Sequence, residues 1–187
     1  MMLHVAFDAA GPDAVSELPT VFASRYGEMT TTVSLLEHLA RREPLTAGAF
    51  SHSVHNTQAG LFSIAAKNPR MSAAVAAGSA TFPCAFIEAT TTVERHADGH
   101  ALLVIGDEPL PPALATFSEE SDAAYALALV VARDGDGPRV ELQSCEPSAA
   151  TASPRWPHAI EFLRWMLSDE PALTVRTGER GWRWIRA

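Results

Sequence analysis

The residues best suited to chemistry lie in the segment Ala77-Gly78-Ser79-Ala80-Thr81, between a predicted strand and a predicted helix. A side chain at a helix start meets free backbone N–H groups and the positive end of the helix dipole, which stabilise an oxyanion or a thiolate. Ser79, flanked by Gly78 and Ala80, is therefore the candidate nucleophile of this turn. The complete G-x-S-x-G pattern of a nucleophile elbow is absent. The alternative is that Ser79 is the N-cap of its helix, a position where serine is strongly favoured.

Two histidines, His52 and His55, precede the start of another predicted helix. They could bind a metal ion, but no Asp, Glu or Cys nearby supplies a third ligand at a familiar spacing. Hydrogen bonding of the imidazoles around the helix start is the favoured interpretation. Cys84 lies among Phe82, Phe86 and Ile87, which is typical of a buried thiol acting as a small apolar side chain. We therefore expect neither a metal nor another cofactor.

The composition predicts one folded domain. The chain has 187 residues, of which 47% are hydrophobic and 19% charged, too apolar a balance for a disordered chain. A formal net charge of −8 gives no electrostatic basis for binding nucleic acid or an anionic membrane. The sequence contains no run long enough for a membrane-spanning helix, and residues 1–13 lack the pattern of a signal peptide. A cytoplasmic protein is the simplest expectation.

Hydrophobic patterning predicts the element order β, α, α, β, α, β, β, β, α, which is typical of a mixed sheet with helices on its faces. The predicted elements are a strand at 20–23, helices at 30–42 and 56–67, a strand at 71–77, a helix at 79–95, strands at 101–105, 123–132 and 139–143, and a helix at 158–167. The alanine-rich strand 71–77 should lie in a tightly packed centre. Residues 47–54 and 144–157 read as loops, and Asp134 to Gly137 as a hairpin-type turn.

Residues from about 150 to 187 are expected to form a C-terminal extension of this single domain, 1–187. Its tail interleaves arginines with tryptophans, the composition of interface hot spots. The tail predicts a partner-binding surface made of Arg180, Trp182, Arg183 and Trp184. The alternative is an ordinary terminal strand whose tryptophans pack inward.

Several of these motifs resemble the N-terminal half of β-ketoacyl synthases, in particular truncated synthase-like proteins from clusters for fatty-acid-like and aryl polyene pigments. The segment His55-Asn56-Thr57-Gln58-Ala59-Gly60 is similar to the family's N-x-x-A-G helix start, and Asn68-Pro69-Arg70-Met71-Ser72 to its approach to the next strand. Ala77 to Thr81 is similar to the family's T-A-C elbow. Residues 20–27 and 101–106 are similar to its earlier and later strands.

The resemblance implies one half of a thiolase-like fold, a mixed α/β sheet with helices on both faces. The family's catalytic Cys aligns with Ala77, Gly78 or Ser79, depending on the anchor of the alignment, so no thiol lies at the elbow. The family's two catalytic histidines and its lysine belong to a C-terminal half that these residues do not include. A serine hydroxyl is a far weaker nucleophile than a thiolate unless a base activates it. The chain is therefore expected to lack condensing activity.

This loss resembles that of chain length factors, which pair with an active synthase. The resemblance implies a subunit that partners an active β-ketoacyl synthase, or a second copy of itself, in type II fatty acid, polyketide or aryl polyene pigment synthesis. In that fold the strand before the elbow lies at the dimer seam, and nearby helix starts shape the acyl tunnel. The residues expected to line an acyl pocket are Phe50, His55, Asn56, Phe62, Phe82 and Phe86.

Two other functions remain open. The chain could be an acyl transferase or thioesterase that uses Ser79 with His52 or His55 as base, the helix N-terminus serving as oxyanion hole. It could instead be a module that binds an acyl carrier protein through its Arg/Trp tail.

Overall fold

The computed structural model describes residues 1–118, 123–147 and 155–187. The helices are α1 (Met2–Ala14), α2 (Met29–Ala40), α3 (Ala47–Ser51), α4 (Thr57–Ala66), α5 (Thr81–Arg95) and α6 (His158–Met166). The strands are β1 (Thr20–Ala23), β2 (Ser72–Val75), β3 (His100–Asp107), β4 (Tyr125–Ala132), β5 (Val140–Cys145), β6 (Ala172–Thr177) and β7 (Arg180–Arg186). Short 3-10 turns cover Gly78–Ala80 and Pro112–Phe117. Residues 148–154, which include part of the predicted loop 144–157 and the first five residues of the expected C-terminal extension, fall outside the described residues.

The main sheet has the strand order β2-β1-β3-β4. Strand β1 is parallel to both β2 and β3, while β4 runs antiparallel to β3. A parallel strand with helices on both of its faces is buried throughout, which explains the unbroken apolar runs of β1 and β3. Because β1, β2 and β3 run in the same direction, their carboxyl ends meet at one edge of the sheet. This edge positions the candidate site.

Side chains that alternate along β1 and β3 divide the core into two layers. Phe22, Leu102 and Val104 pack against α1 and α4 on one face of the sheet. Val21, Leu103 and Ile105 face the opposite way, toward α5 and α6. The predicted mixed sheet with helices on both faces is therefore confirmed.

A second sheet, of order β5-β7-β6, is antiparallel throughout and packs on the α5 and α6 side. Its central row, Leu142, Trp184 and Leu173, points into that core. The predicted hairpin between the strands 123–132 and 139–143 is wrong, because β4 pairs with β3 and β5 pairs with β7. Apolar alternation predicts that a strand forms but not which strand it joins.

The prediction that the alanine-rich strand is buried in the centre is also wrong. Strand β2 forms one edge of the main sheet, and Ser72 and Ala74 are exposed on it. Small residues suit either a close-packed centre or a strand that another backbone approaches closely, and composition alone does not distinguish the two.

Two helices were not predicted. The Gly11-Pro12 pair indicates a break within 2–14, and the chain does kink there, with a Gly11 φ of +70°, yet it continues as helix. The short α3 lies where a loop or extended piece was expected, and the Thr46 hydroxyl caps its start by accepting from the Ala49 N–H. In the residues described, no helix combines the length and apolar character needed to cross a bilayer.

Candidate functional site

The elbow segment, Ala77 to Thr81, forms a tight turn between β2 and α5. Gly78 has a φ of +56°, a backbone conformation that favours glycine. The Ala77 N–H donates to Thr81 Oγ1 at 3.0 Å, and the Thr81 hydroxyl donates to the Gly78 carbonyl at 2.7 Å. The strand-to-helix turn is confirmed. The alternative of Ser79 as N-cap is wrong, because Ala80 holds that position and the Thr81 hydroxyl makes the local bonds.

Ser79 lines a small cavity of about 10 Å³, here called the elbow cavity. It lies between the elbow segment, the ends of β1 and β3, and the start of α6. The residues that line it are Arg25, Gly78, Ser79, Thr81, Phe82, Ile105, Asp107, Tyr125, His158 and Ala159. Neither His52 nor His55 is among them, so the structure does not bring the proposed bases to Ser79. It brings His158 instead.

His158 is the first residue of α6 and is only 3% exposed. The Trp184 indole N–H donates to its Nε2 at 2.8 Å, and the Phe82 ring lies 5.5 Å from the imidazole between centroids. Burial among these aromatic rings lowers the pKa of His158 to about 3, so the ring is neutral at pH 7. Sequence reasoning set His158 aside, because it lies too close to Ser79 along the chain to match either of the two histidines that the family resemblance implies. The packing of α6 on α5 nevertheless brings His158 and Ser79 to the same cavity.

A second cavity, of about 80 Å³, opens at the carboxyl ends of β1 and β3 and is here called the strand-end cavity. Asp107, the last residue of β3, lines both cavities, as does Tyr125. Its Oδ1 accepts from Ser24 Oγ at 2.7 Å and from the Arg25 and Tyr26 backbone N–H groups at 2.8 and 3.1 Å. Its Oδ2 accepts from the Tyr125 hydroxyl at 3.1 Å. One carboxylate thus holds the loop after β1 against the end of β3.

His55 lies in the strand-end cavity and has a structural partner. Its Nε2 lies 2.8 Å from the Ser24 carbonyl oxygen, which fixes α4's approach to the end of β1. The expectation of an imidazole hydrogen-bonded near a helix start is confirmed for His55. Close by, Gln58 donates to Glu28 at 2.7 Å and joins α4 to the start of α2.

The six residues expected to line one acyl pocket do not come together in this chain. Phe62 is buried in the α1 and α4 layer, whereas Phe82 and Phe86 belong to the layer on the opposite face of the sheet. Phe50 and Asn56 are exposed, and His55 lies in the strand-end cavity. The acyl-pocket role of these residues stays a prediction, and this chain alone places them on both faces of the same sheet and on its surface.

The Arg/Trp tail is the strand β7, and its residues alternate between two faces. Trp182 and Trp184 point into the core and are 5% and 0% exposed, so neither can contact a partner. The prediction that they bind a partner is wrong, and the inward-packed strand is confirmed. Arg180 and Arg183 remain exposed.

The two thiols lie away from the elbow cavity. Cys84 is in the first turn of α5 and Cys145 ends β5, and neither lines the elbow cavity or the strand-end cavity. Within residues 1–118, 123–147 and 155–187, no three His, Cys, Asp or Glu side chains come close enough to hold a metal ion.

Comparisons with known proteins agree with this architecture. The sequence model described as the N-terminal domain of β-ketoacyl synthases matches residues 1–185. A solved chain from the complex of the ketosynthase ApeO with its chain length factor ApeC, from Xenorhabdus doucetiae, has the same fold. The TM-score is 0.82, with 24% identity over 99% of this chain and 77% of that chain. No curated protein matches the sequence.

The mixed sheet with its two helical layers is thus the expected half of a thiolase-like, ketosynthase fold. The chain belongs to the family of β-ketoacyl synthase N-terminal domains.

Proposed function

We propose that this chain is a ketosynthase-like subunit without condensing activity, which pairs with an active β-ketoacyl synthase. In that pair it would position the growing acyl chain during type II fatty acid, polyketide or aryl polyene pigment synthesis. The observation that carries the proposal is the elbow segment, which has the strand-to-helix geometry of a nucleophile site and no thiol.

The surroundings of Ser79 also favour a silent site. A serine becomes a nucleophile when an adjacent base accepts its proton. His158 is the histidine that lines the elbow cavity, but its Nε2 already accepts the Trp184 indole proton. In a neutral imidazole, one ring nitrogen accepts a hydrogen bond and the other carries the proton. Because Nε2 of His158 accepts from Trp184 and Nδ1 carries the proton, neither nitrogen can take a proton from Ser79. This arrangement gives the Ser79-dependent transferase or thioesterase no support.

The open edge of β2 supports a partner at this position. Thr20 N–H donates to the Met71 carbonyl and Ser24 N–H to the Val75 carbonyl, so the odd-numbered residues of 71–75 bond to β1. In a parallel pair the alternate residues, including Ala74, direct their backbone groups away from β1. Among the described residues β2 pairs with β1 alone, which leaves an edge suited to a second strand. The two helices that contact β2 each expose an isoleucine, Ile64 on α4 and Ile87 on α5.

A co-purification experiment tests this pairing. The chain is expressed with an active β-ketoacyl synthase from the same organism, and we expect the two to co-elute. Ala74→Pro removes one outward N–H while leaving every β1 bond in place, so it should abolish co-elution without unfolding the chain. Ala74→Ser retains the N–H and should co-elute like the wild type. If the wild-type chain elutes alone, and deletion of its gene leaves the acyl product profile unchanged, the proposal fails.

A second candidate function, carrier binding, rests on the exposed arginines of β7. Within the described residues Arg180 and Arg183 form no salt bridge, although the chain is acidic overall. Exposed unpaired guanidinium groups suit the acidic surface of an acyl carrier protein. Arg180→Glu with Arg183→Glu should then weaken carrier binding by tenfold or more in a calorimetric titration, whereas Arg41→Glu, just after α2, should not. Unchanged binding in the double variant would remove this candidate.

A further inference from the structure

The hydrogen-bond state of His158 follows from its contact with Trp184. An indole N–H can only donate, so the Nε2 that it meets at 2.8 Å must be the unprotonated nitrogen. The neutral ring therefore carries its proton on Nδ1. Among the residues that the structure describes, Nδ1 is buried and meets no hydrogen-bond partner. A buried donor without an acceptor is costly, and native proteins rarely contain one without a reason.

The elbow cavity adjoins the His158 ring. His158 lines it together with Gly78, Ser79 and Thr81, whereas Trp184, which occupies the Nε2 side of the ring, does not. At about 10 Å³ the cavity has room for one oxygen atom. It also faces the N-terminus of the 15-residue helix α5, whose dipole favours negative charge. The charged groups that line it are Arg25 and Asp107, and Asp107 is committed to the loop after β1.

We propose that the elbow cavity binds a single acceptor oxygen, the carbonyl or carboxylate oxygen of an acyl compound, through a hydrogen bond from His158 Nδ1–H. The acyl class rests on the proposed function, whereas the need for an acceptor follows from the geometry of His158 and Trp184. His158 is then a binding residue that α6 contributes to the elbow. The acyl carbonyl is held there but not attacked, because no thiolate or activated hydroxyl faces it.

Three ligands of equal chain length separate the possible sources of the oxygen. The first is the thioester S-octanoyl-N-acetylcysteamine, and the second is the carboxylate octanoate. The third is the thioether S-octyl-N-acetylcysteamine, which lacks the carbonyl. In a ¹⁵N-histidine-labelled sample, the thioester or octanoate should shift the His158 Nδ1–H resonance and leave the His4 signals unchanged. The thioether should not shift it. The ligand that binds more tightly identifies whether a thioester or a free acid is preferred.

Two variants of His158 separate donation by Nδ1 from the bond to Trp184. His158→Gln places an acceptor near the position of Nε2 and removes the Nδ1 donor, so thioester binding should weaken roughly tenfold. His158→Asn retains a donor near the position of Nδ1, so binding should survive even though Trp184 loses its acceptor. Near-ultraviolet circular dichroism checks that each variant is folded. If His158→Gln does not fold, the comparison of thioester with thioether in the wild type still decides.

Three results would overturn the inference. The first is equal binding of the thioester and the thioether. The second is an unchanged His158 Nδ1–H resonance with every ligand, which indicates that the cavity holds a solvent molecule alone. The third is wild-type affinity for the thioester in a folded His158→Gln variant. Co-elution with the synthase is measured on the same samples. Loss of co-elution with intact thioester binding would contradict the partner role and leave this site standing.

Discussion

At the scale of single residues, two polar side chains organise the end of the main sheet. Asp107 gathers four donors from the loop after β1 and from β4. His158 joins α6 to the central strand of the second sheet through Trp184. Neither stands out in the sequence, because an aspartate after a strand and a histidine after a proline are common, and only the long-range contacts show their roles.

The burial of His158 predicts an acid-sensitive fold. The unfolded chain binds a proton on this ring below its usual pKa of about 6.5, whereas the folded chain does so only near pH 3. The contribution of His158 to the free energy of unfolding is therefore complete above pH 6.5. It is lost as the pH falls from 6.5 toward 3, by up to about 1.4 kcal/mol per pH unit. Urea unfolding at pH 7.5, 5.5 and 4.5 measures this slope.

His158→Gln provides the comparison for that slope. It should lose the histidine part of the pH dependence, while the exposed control His4→Gln should keep it. A slope in His158→Gln as steep as in the wild type would show that other groups cause the acid sensitivity.

At the scale of elements, the sequence predicts β1, β3, β4, α2, α4, α5 and α6 well, because apolar periodicity and breakers such as Pro44 and Asn68-Pro69 act locally. It also predicts that a small-residue turn joins β2 to α5. It does not predict which strands pair. Strand β5 is not part of the main sheet and pairs with β7, which comes later in the chain. The candidate site was therefore predicted in part: the elbow segment comes from local pattern, whereas the histidine that faces it comes from tertiary packing.

The close contact of β3 with β4 predicts that Gly106 tolerates no side chain. A Cβ at Gly106 would lie 2.7 Å from the Tyr125 carbonyl oxygen and 2.9 Å from Met2 Cγ. Gly106→Ala should therefore lower the free energy of unfolding by about 2 kcal/mol, a typical cost of overpacking. Gly60→Ala, within α4 and with nothing within 4 Å, should raise it by up to about 1 kcal/mol. Urea midpoints compare the two, and equal effects would contradict this account.

At the scale of the whole molecule, α5 lies between the two sheets and carries the aromatic core that joins them. Trp184 is fully buried and packs against Phe82, Phe86 and Phe162, with ring centroids 5.3, 5.0 and 4.7 Å away. The start of α5, which follows the elbow segment, thus packs on residues from α6 and β7, near the end of the chain.

Adjacent residues of β7 should differ sharply when truncated. Trp184→Ala should lower the free energy of unfolding by about 4 kcal/mol, because it empties a large buried volume. Arg183→Ala, on the opposite face of the same strand, should change it by less than about 0.5 kcal/mol. Urea denaturation of both variants checks the difference. If Trp184→Ala left the free energy of unfolding unchanged, the second sheet would not be part of the core.

The contact of Phe82 with Trp184 also has a consequence for how the chain is made. These two rings are about one hundred residues apart in sequence, and closing so long a loop is slow compared with local steps. The layer of α1, α4 and β1 can assemble early, while the aromatic side of α5 stays uncovered until β7 has emerged from the ribosome. During that interval the nascent polypeptide exposes apolar aromatic side chains that can aggregate. The yield of folded protein in cells should therefore depend on chaperones and on the speed of translation.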